Sequence, residues 1–281
     1  MVFKGLLIVL GGLVFIFSSG VPMRLISQFR PDYKREGLYW GIGIWIVAFF
    51  LSNFLISITR QVITGGNTSA ADSGPTSVLV FLLGTILTTV LLQWGMRIFL
   101  KNRQKNQEDI LGYGLAMGFG VGVIDQVLTG MILITAGAGV IFKGAGIQLA
   151  LGDLRTELVE VIAVEPLFSV LAALLALVLF RVALLTIRAA QGYLVARSLQ
   201  GKNSLFWLAA AVYTAFAWLL LLVQLAIGIQ NPGQVSLGVT PAWVSILALC
   251  YYGIAFVLGY RWLTQALQSE HSQHRSKRSK K

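Results

Sequence analysis

The chain has 281 residues, 56% of them hydrophobic and only 12% charged, with a mean hydropathy of +0.77. A water-soluble domain cannot hide that much apolar surface, so the composition points to an all-α, polytopic transmembrane bundle. The net charge of +11 fits cytoplasmic loops and anionic lipid, not nucleic acid, and the lone Cys250 excludes an internal disulfide or a cysteine-rich metal site.

Seven apolar segments follow in chain order. The first, residues 5–26, begins after Lys4 and reads as a retained helix rather than a cleaved signal, because FSSG is a poor cleavage site and a basic loop follows directly. The second, 38–63, opens on Tyr39 and Trp40, is interrupted by Gly41 and Gly43, and ends in GGNTSAADSGPT, a polar connection without Lys or Arg. The third, 77–100, runs into the basic turn KNRQKNQED. The fourth is expected to cross over 110–135 and to break after Thr135, where Gly137, Gly139, Gly144 and Gly146 read as a re-entrant or interfacial piece.

Residues 143–160 read as a short amphipathic surface segment. The apolar run from 161 to 198 is too long for one perpendicular crossing and reads either as a tilted helix, with a span over 161–187, or as two helices. The last two spans fall at 204–229 and 242–263, making one transmembrane domain over 1–263, and residues 264–281 read as a disordered basic cytoplasmic tail. Lys and Arg concentrate in the first, third and fifth loops and the tail, so the positive-inside rule orients the chain N-outside and C-inside. Within the tail, Arg275, Lys277, Arg278, Lys280 and Lys281 are placed to bind anionic lipid of the bilayer. Both histidines, His271 and His274, also lie there, so no imidazole stands in any apolar segment.

Polar residues inside apolar segments are the candidate site. Asp125 lies between GFGVGVI and QVLTGMILI, where an unpartnered charge costs at least ~2.5 kcal/mol at the bilayer centre. Its alternative reading is a neutral carboxyl that joins two helices. Glu165 opens the fifth run at a similar expected depth. Gln93 and Arg97 stand one turn apart on the third segment, and Arg97 reaches toward the phosphate level. Gly114, Gly118 and Gly122 share one face of the fourth helix, which fits close helix packing and, alternatively, a substrate cleft. Arg181 and Arg188 also share a face, for lipid headgroups or for a buried partner such as Asp125.

The succession Gln93-Trp94-Gly95-Met96-Arg97, a basic turn, then Gly118-Phe119-Gly120-Val121-Gly122-Val123-Ile124-Asp125 resembles the YhfC-type intramembrane proteases, a branch of the CAAX-protease and bacteriocin-processing clan. The resemblance covers most of residues 38–216. It implies a helix with a paired-glutamate motif, EExxxR, a glycine-rich helix carrying a histidine and an acid, and a final histidine near Tyr213 or Thr214. Here the two glutamates are Gln93 and Trp94, the arginine survives as Arg97, the histidine is Val121 and the acid is shortened to Asp125. General-base work needs an ionisable group beside the attacking water, and Gln93, Trp94 and Val121 offer none.

The resemblance thus implies a protease-like scaffold without proteolysis or cofactor, in a prokaryotic plasma membrane. It would hold a transmembrane helix or a lipid-like tail, or serve as a subunit beside another membrane protein. Two further expectations are a peptidase that uses Asp125 and Glu165 as an acid pair, and a proton-coupled transporter centred on Asp125. No inverted repeat is evident to favour the transporter.

Overall fold

The computed structural model describes residues 1–18, 20, 24, 35–64, 74–105, 109–145, 159, 166–201, 203–226 and 242–278. The described residues form seven helices and no strand. These are α1 (Val2–Ser18), α2 (Arg35–Thr64), α3 (Gly74–Lys105), α4 (Ile110–Gly144), α5 (Leu167–Ser198), α6 (Ser204–Ala226) and α7 (Ala242–Arg278). Among them, α2, α3, α4 and α5 are long and apolar enough to cross a membrane.

Three boundaries differ from expectation. The fourth helix does not break after Thr135 but continues to Gly144. The long fifth run is a single helix from Leu167 to Ser198. The seventh helix passes Leu263 and ends at Arg278, so helix covers most of the stretch expected to be a disordered tail. Most of the expected amphipathic segment at 143–160, together with Glu165, lies outside the described residues.

The chain divides into two compact units, and α4 and α5 contribute to both. One unit comprises residues 1–32, 122–186 and 236–281; the other comprises 33–121 and 187–235.

In the first unit, α1 packs antiparallel on the second half of α4 through glycines seven residues apart on each helix. A β-carbon on Gly12 would come 2.7 Å from the Gly130 carbonyl oxygen, and one on Gly137 would come 2.8 Å from that of Gly5. Small residues at such a seam let two backbones touch, and in a bilayer this dispersion contact replaces the hydrophobic drive that lipid cannot supply. Ile8 and Phe15 of α1 then fill the space beside Leu133 and Val140 of α4, with Val170 and Leu174 of α5 completing the core. The glycines read as a helix break are therefore contact points: Gly137 is where α1 crosses. Ser18 accepts a 2.7 Å hydrogen bond from Gln126 Nε2 at the end of this seam.

In the second unit, α4 lies between α2 and α5. A β-carbon on Gly118 would overlap the Arg188 carbonyl oxygen, one on Gly114 would strike Gly192, and one on Gly120 would strike Leu38 of α2. The i, i+4 glycines at 114 and 118 thus form one packed face toward α5, as their spacing predicts. Helix α3 packs antiparallel against α2, with Ile56 seated on Gly84 and Ile44 on Gly95. Trp45, Ala48 and Ser52 make the buried stripe of α2, whereas Tyr39, Val47, Phe50, Phe54 and Val62 project outward. Water would penalise so continuous an outward apolar stripe, and hydrocarbon would not.

Candidate functional site

The second unit carries two adjoining clefts along the α2/α3 seam. One, of about 330 Å³, is lined by Trp40, Gly43, Ile44, Val47, Ala48, Leu51, Leu91 and Gly95. The other, of about 390 Å³, is lined by Ile56, Thr59, Val80, Leu83, Ile86, Leu87 and Val90. From Trp40 to Thr59 the helical rise amounts to about 28 Å, close to the ~30 Å hydrocarbon thickness of a bilayer. Among the described residues, Thr59 supplies the only side-chain hydroxyl on either wall, and it is already committed to the Leu55 carbonyl at 2.8 Å. The walls therefore offer shape and dispersion contact without polar readout.

A clasp closes one end of this seam. Glu36, in the first turn of α2, accepts a 2.9 Å hydrogen bond from the Tyr113 hydroxyl and one of 3.3 Å from Trp40 Nε1. It also pairs with Arg103 of α3, whose guanidinium lies 5.2 Å from both the Phe99 and Tyr113 rings. One carboxylate thus joins the starts of α2 and α4 to the end of α3. Sequence reading missed this cluster, because Glu36 looks like an ordinary charge in a basic loop. Its position in the first turn of a helix was the available signal.

The motif positions separate on inspection. Gln93 is fully buried (0% exposed), and neither its amide nitrogen nor its amide oxygen has a hydrogen-bond partner. Trp94 is 60% exposed and points away from that core, so positions 93 and 94 do not act on one centre. Arg97 donates through Nη2 to Asn203 Oδ1 at 2.8 Å and lies 5.1 Å over the Phe206 ring, which ties α3 to the start of α6. That is a more specific role than reaching for headgroups. Val121 is buried in the second unit. Asp125 belongs to the first unit and is half-buried, and its carbonyl accepts from Thr129 at 2.9 Å. None of Gln93, Val121 and Asp125 lines either cleft.

A second polar cluster sits deeper in the second unit. Arg188 is only 4% exposed. Its Nη1 donates to Gln191 Oε1 at 2.9 Å, Gln191 Nε2 donates to the Ala209 carbonyl at 3.0 Å, and the Tyr213 ring covers the guanidinium at 3.6 Å. Taking such a cation out of water costs several kcal/mol. A charge-assisted hydrogen bond returns about 1.5–3 kcal/mol, and a desolvated aromatic face about 2 kcal/mol. These neutral partners lower the cost without cancelling the charge, and Nε is left without an acceptor. The described partners of Arg188 are thus an amide and a phenol ring, where sequence offered lipid headgroups or, alternatively, a buried acid such as Asp125. Arg181, in the first unit, stacks 5.2 Å over Phe180.

Among the described residues, no group of three or more His, Cys, Asp and Glu side chains gathers as a metal site requires. Comparison with protein-family models, with curated proteins and with solved structures finds no match to this chain.

Proposed function

We propose that the chain is a multi-pass protein of the cell membrane, N-outside and C-inside, that holds an apolar rod along the α2/α3 seam without hydrolysing it. The rod is a transmembrane helix of a partner protein or a lipid-like tail. The observation that carries this reading is the pair of apolar clefts along α2 and α3, whose combined length of about 28 Å by helical rise matches the thickness of a hydrocarbon core. The described residues of their walls include no group able to take a proton from water.

The resemblance to YhfC-type proteases adds a reason why such a cleft would exist on a non-hydrolytic protein. A substrate-holding scaffold outlives its chemistry when the glutamate position is an amide, here Gln93, and the histidine position is Val121. The orphaned amide at position 93 supports this, because a residue retained only for packing would be apolar. The basic tail and loops are proposed to rest on anionic lipid of the inner leaflet.

Photocrosslinking in native membranes tests the reading. A photoreactive residue at Ile44 or Leu91, on the cleft wall, is expected to give a discrete protein adduct or a specific lipid adduct. The same residue at Phe50, on the outward stripe of α2, is expected to give bulk lipid alone. Identical adducts at all three positions would overturn the proposal. So would cleavage of a membrane peptide by purified protein that disappears in Asp125→Ala.

A further inference from the structure

Every described carboxylate of the second unit is committed elsewhere, while the most buried cation of that unit has none. Glu36 is held by Tyr113, Trp40 and Arg103, and Asp109 accepts from the Gly112 amide at the start of α4. That cation is the guanidinium of Arg188. Its Nη1 side is satisfied by Gln191, which leaves unoccupied the Nε edge of the fork. That edge presents two parallel N–H groups, the arrangement that grips a carboxylate or a phosphate in bidentate fashion.

Gln93 supplies a second orphan at comparable depth. Gln104 reaches the Leu199 carbonyl and Arg97 reaches Asn203, so α3 runs opposite to the chain entering α6. One turn inward from Arg97, Gln93 therefore comes level with the part of α6 that holds Ala209, whose carbonyl accepts from Gln191 of the Arg188 cluster. A fully buried amide with both ends unpaired, and about one turn further along a buried guanidinium whose Nε lacks an acceptor, make an incomplete polar network. The half-buried ring of Tyr213 lies over it as a cover.

We propose that Arg188, assisted by the Gln93 amide, binds a singly charged oxyanion inside the second unit, from a membrane lipid or from a free anion. One guanidinium balances one negative charge, which favours a phosphodiester or a carboxylate over a dianionic phosphate monoester. The proposal is independent of what occupies the α2/α3 seam.

The test uses the full-length protein in detergent at about 1 M salt, where a Debye length of ~3 Å silences the exposed basic residues but not a buried site. Phosphatidylglycerol, oleate, phosphatidylcholine and inorganic phosphate are added separately, and the unfolding midpoint and native mass spectrum are read. Phosphatidylglycerol or oleate is expected to raise the midpoint by several degrees and to remain bound, which assigns a lipid source. An equal rise with inorganic phosphate alone assigns a free anion.

Arg188→Met is expected to abolish the rise while unfolding, without ligand, no earlier than the parent. Gln93→Leu is expected to weaken the anion about tenfold. Should Arg188→Met fail to fold, Arg188→Lys keeps the charge but lacks the fork, and is expected to bind about tenfold more weakly. The proposal is overturned if no anion shifts the parent, if the shift survives in Arg188→Met, or if Arg188→Lys binds as the parent does.

Discussion

Gly41 of α2 and Met117 of α4 lie so close that a β-carbon on Gly41 would overlap the Met117 carbonyl oxygen. Two residues further along the same helix, Gly43 has nothing within 4 Å of where its β-carbon would stand. The two glycines therefore predict opposite outcomes for the same substitution. Gly41→Ala forces two backbones apart and is expected to destabilise the protein by about 1–3 kcal/mol, the usual cost of overpacking. Gly43→Ala relieves a helix interior of glycine and is expected to be neutral or to stabilise by up to ~1 kcal/mol. Thermal unfolding of the two variants in one detergent checks both signs. Equal losses would mean that α2 and α4 do not meet as described.

That contrast marks how far the sequence could be read. Both glycines interrupt the same apolar segment and look alike until the partner helix is known. The i, i+4 spacing of Gly114 and Gly118 made a packed face legible, because one helix alone determines which residues share a side. The seven-residue pairs Gly5/Gly12 and Gly130/Gly137 lie more than a hundred residues apart in sequence, so Gly137 looked like a breaker. Composition made the helical bundle legible for a similar reason, being a property of the chain rather than of its contacts. Sequence singled out Gln93, Arg97 and Arg188 as polar residues in apolar segments, but not their surroundings. It did not separate a buried Gln93 from an outward Trp94, nor anticipate that Arg188 would meet Gln191 and Tyr213.

Gln93 leads to the second prediction. With both amide atoms buried and unpaired, it carries a desolvation cost of about 1–3 kcal/mol that no contact offsets in the unliganded protein. Gln93→Leu, close in volume, is expected to raise the unliganded unfolding free energy by about that amount, measured by thermal unfolding at neutral pH. Gln93→Glu is expected to lower it, because no hydrogen-bond donor stands within reach of the side-chain oxygen at position 93 and a carboxylate is costlier to bury than an amide. Restoring the glutamate of the resembled motif is also expected to yield no peptide cleavage, since Val121 still offers no base. Peptide cleavage by Gln93→Glu would show that the site had kept the rest of its machinery.

The link between α3 and α6 gives a third test. Arg97 reaches Asn203 at 2.8 Å and Phe206 at 5.1 Å, in a partly exposed setting. A double-mutant cycle over Arg97→Met and Asn203→Ala is expected to return a coupling of about 0.5–1 kcal/mol, reduced from a buried value by screening. Arg97→Lys is expected to lose most of it, because an ammonium neither forks toward an amide oxygen nor stacks on a ring as a guanidinium does. A coupling near zero would mean that this contact orders nothing.

Orientation is the last prediction, and it rests on charge alone. The connection between α2 and α3 carries no Lys or Arg, whereas the turn between α3 and α4 lies within KNRQKNQED. By the positive-inside rule, the former is expected to face out and the latter to face in. In a Cys250→Ala background, which removes the single native thiol, Asn67→Cys is expected to react with a membrane-impermeant maleimide added to intact cells. Asn106→Cys is expected to react only after the membrane is opened. The reverse pattern would place the basic turns outside, and with them the arginines at 97 and 103 that close α3 onto its neighbours. Labelling of both positions in intact cells would mean that α3 does not cross the membrane at all, and the α2/α3 seam would then lose the hydrocarbon depth on which its proposed occupant depends.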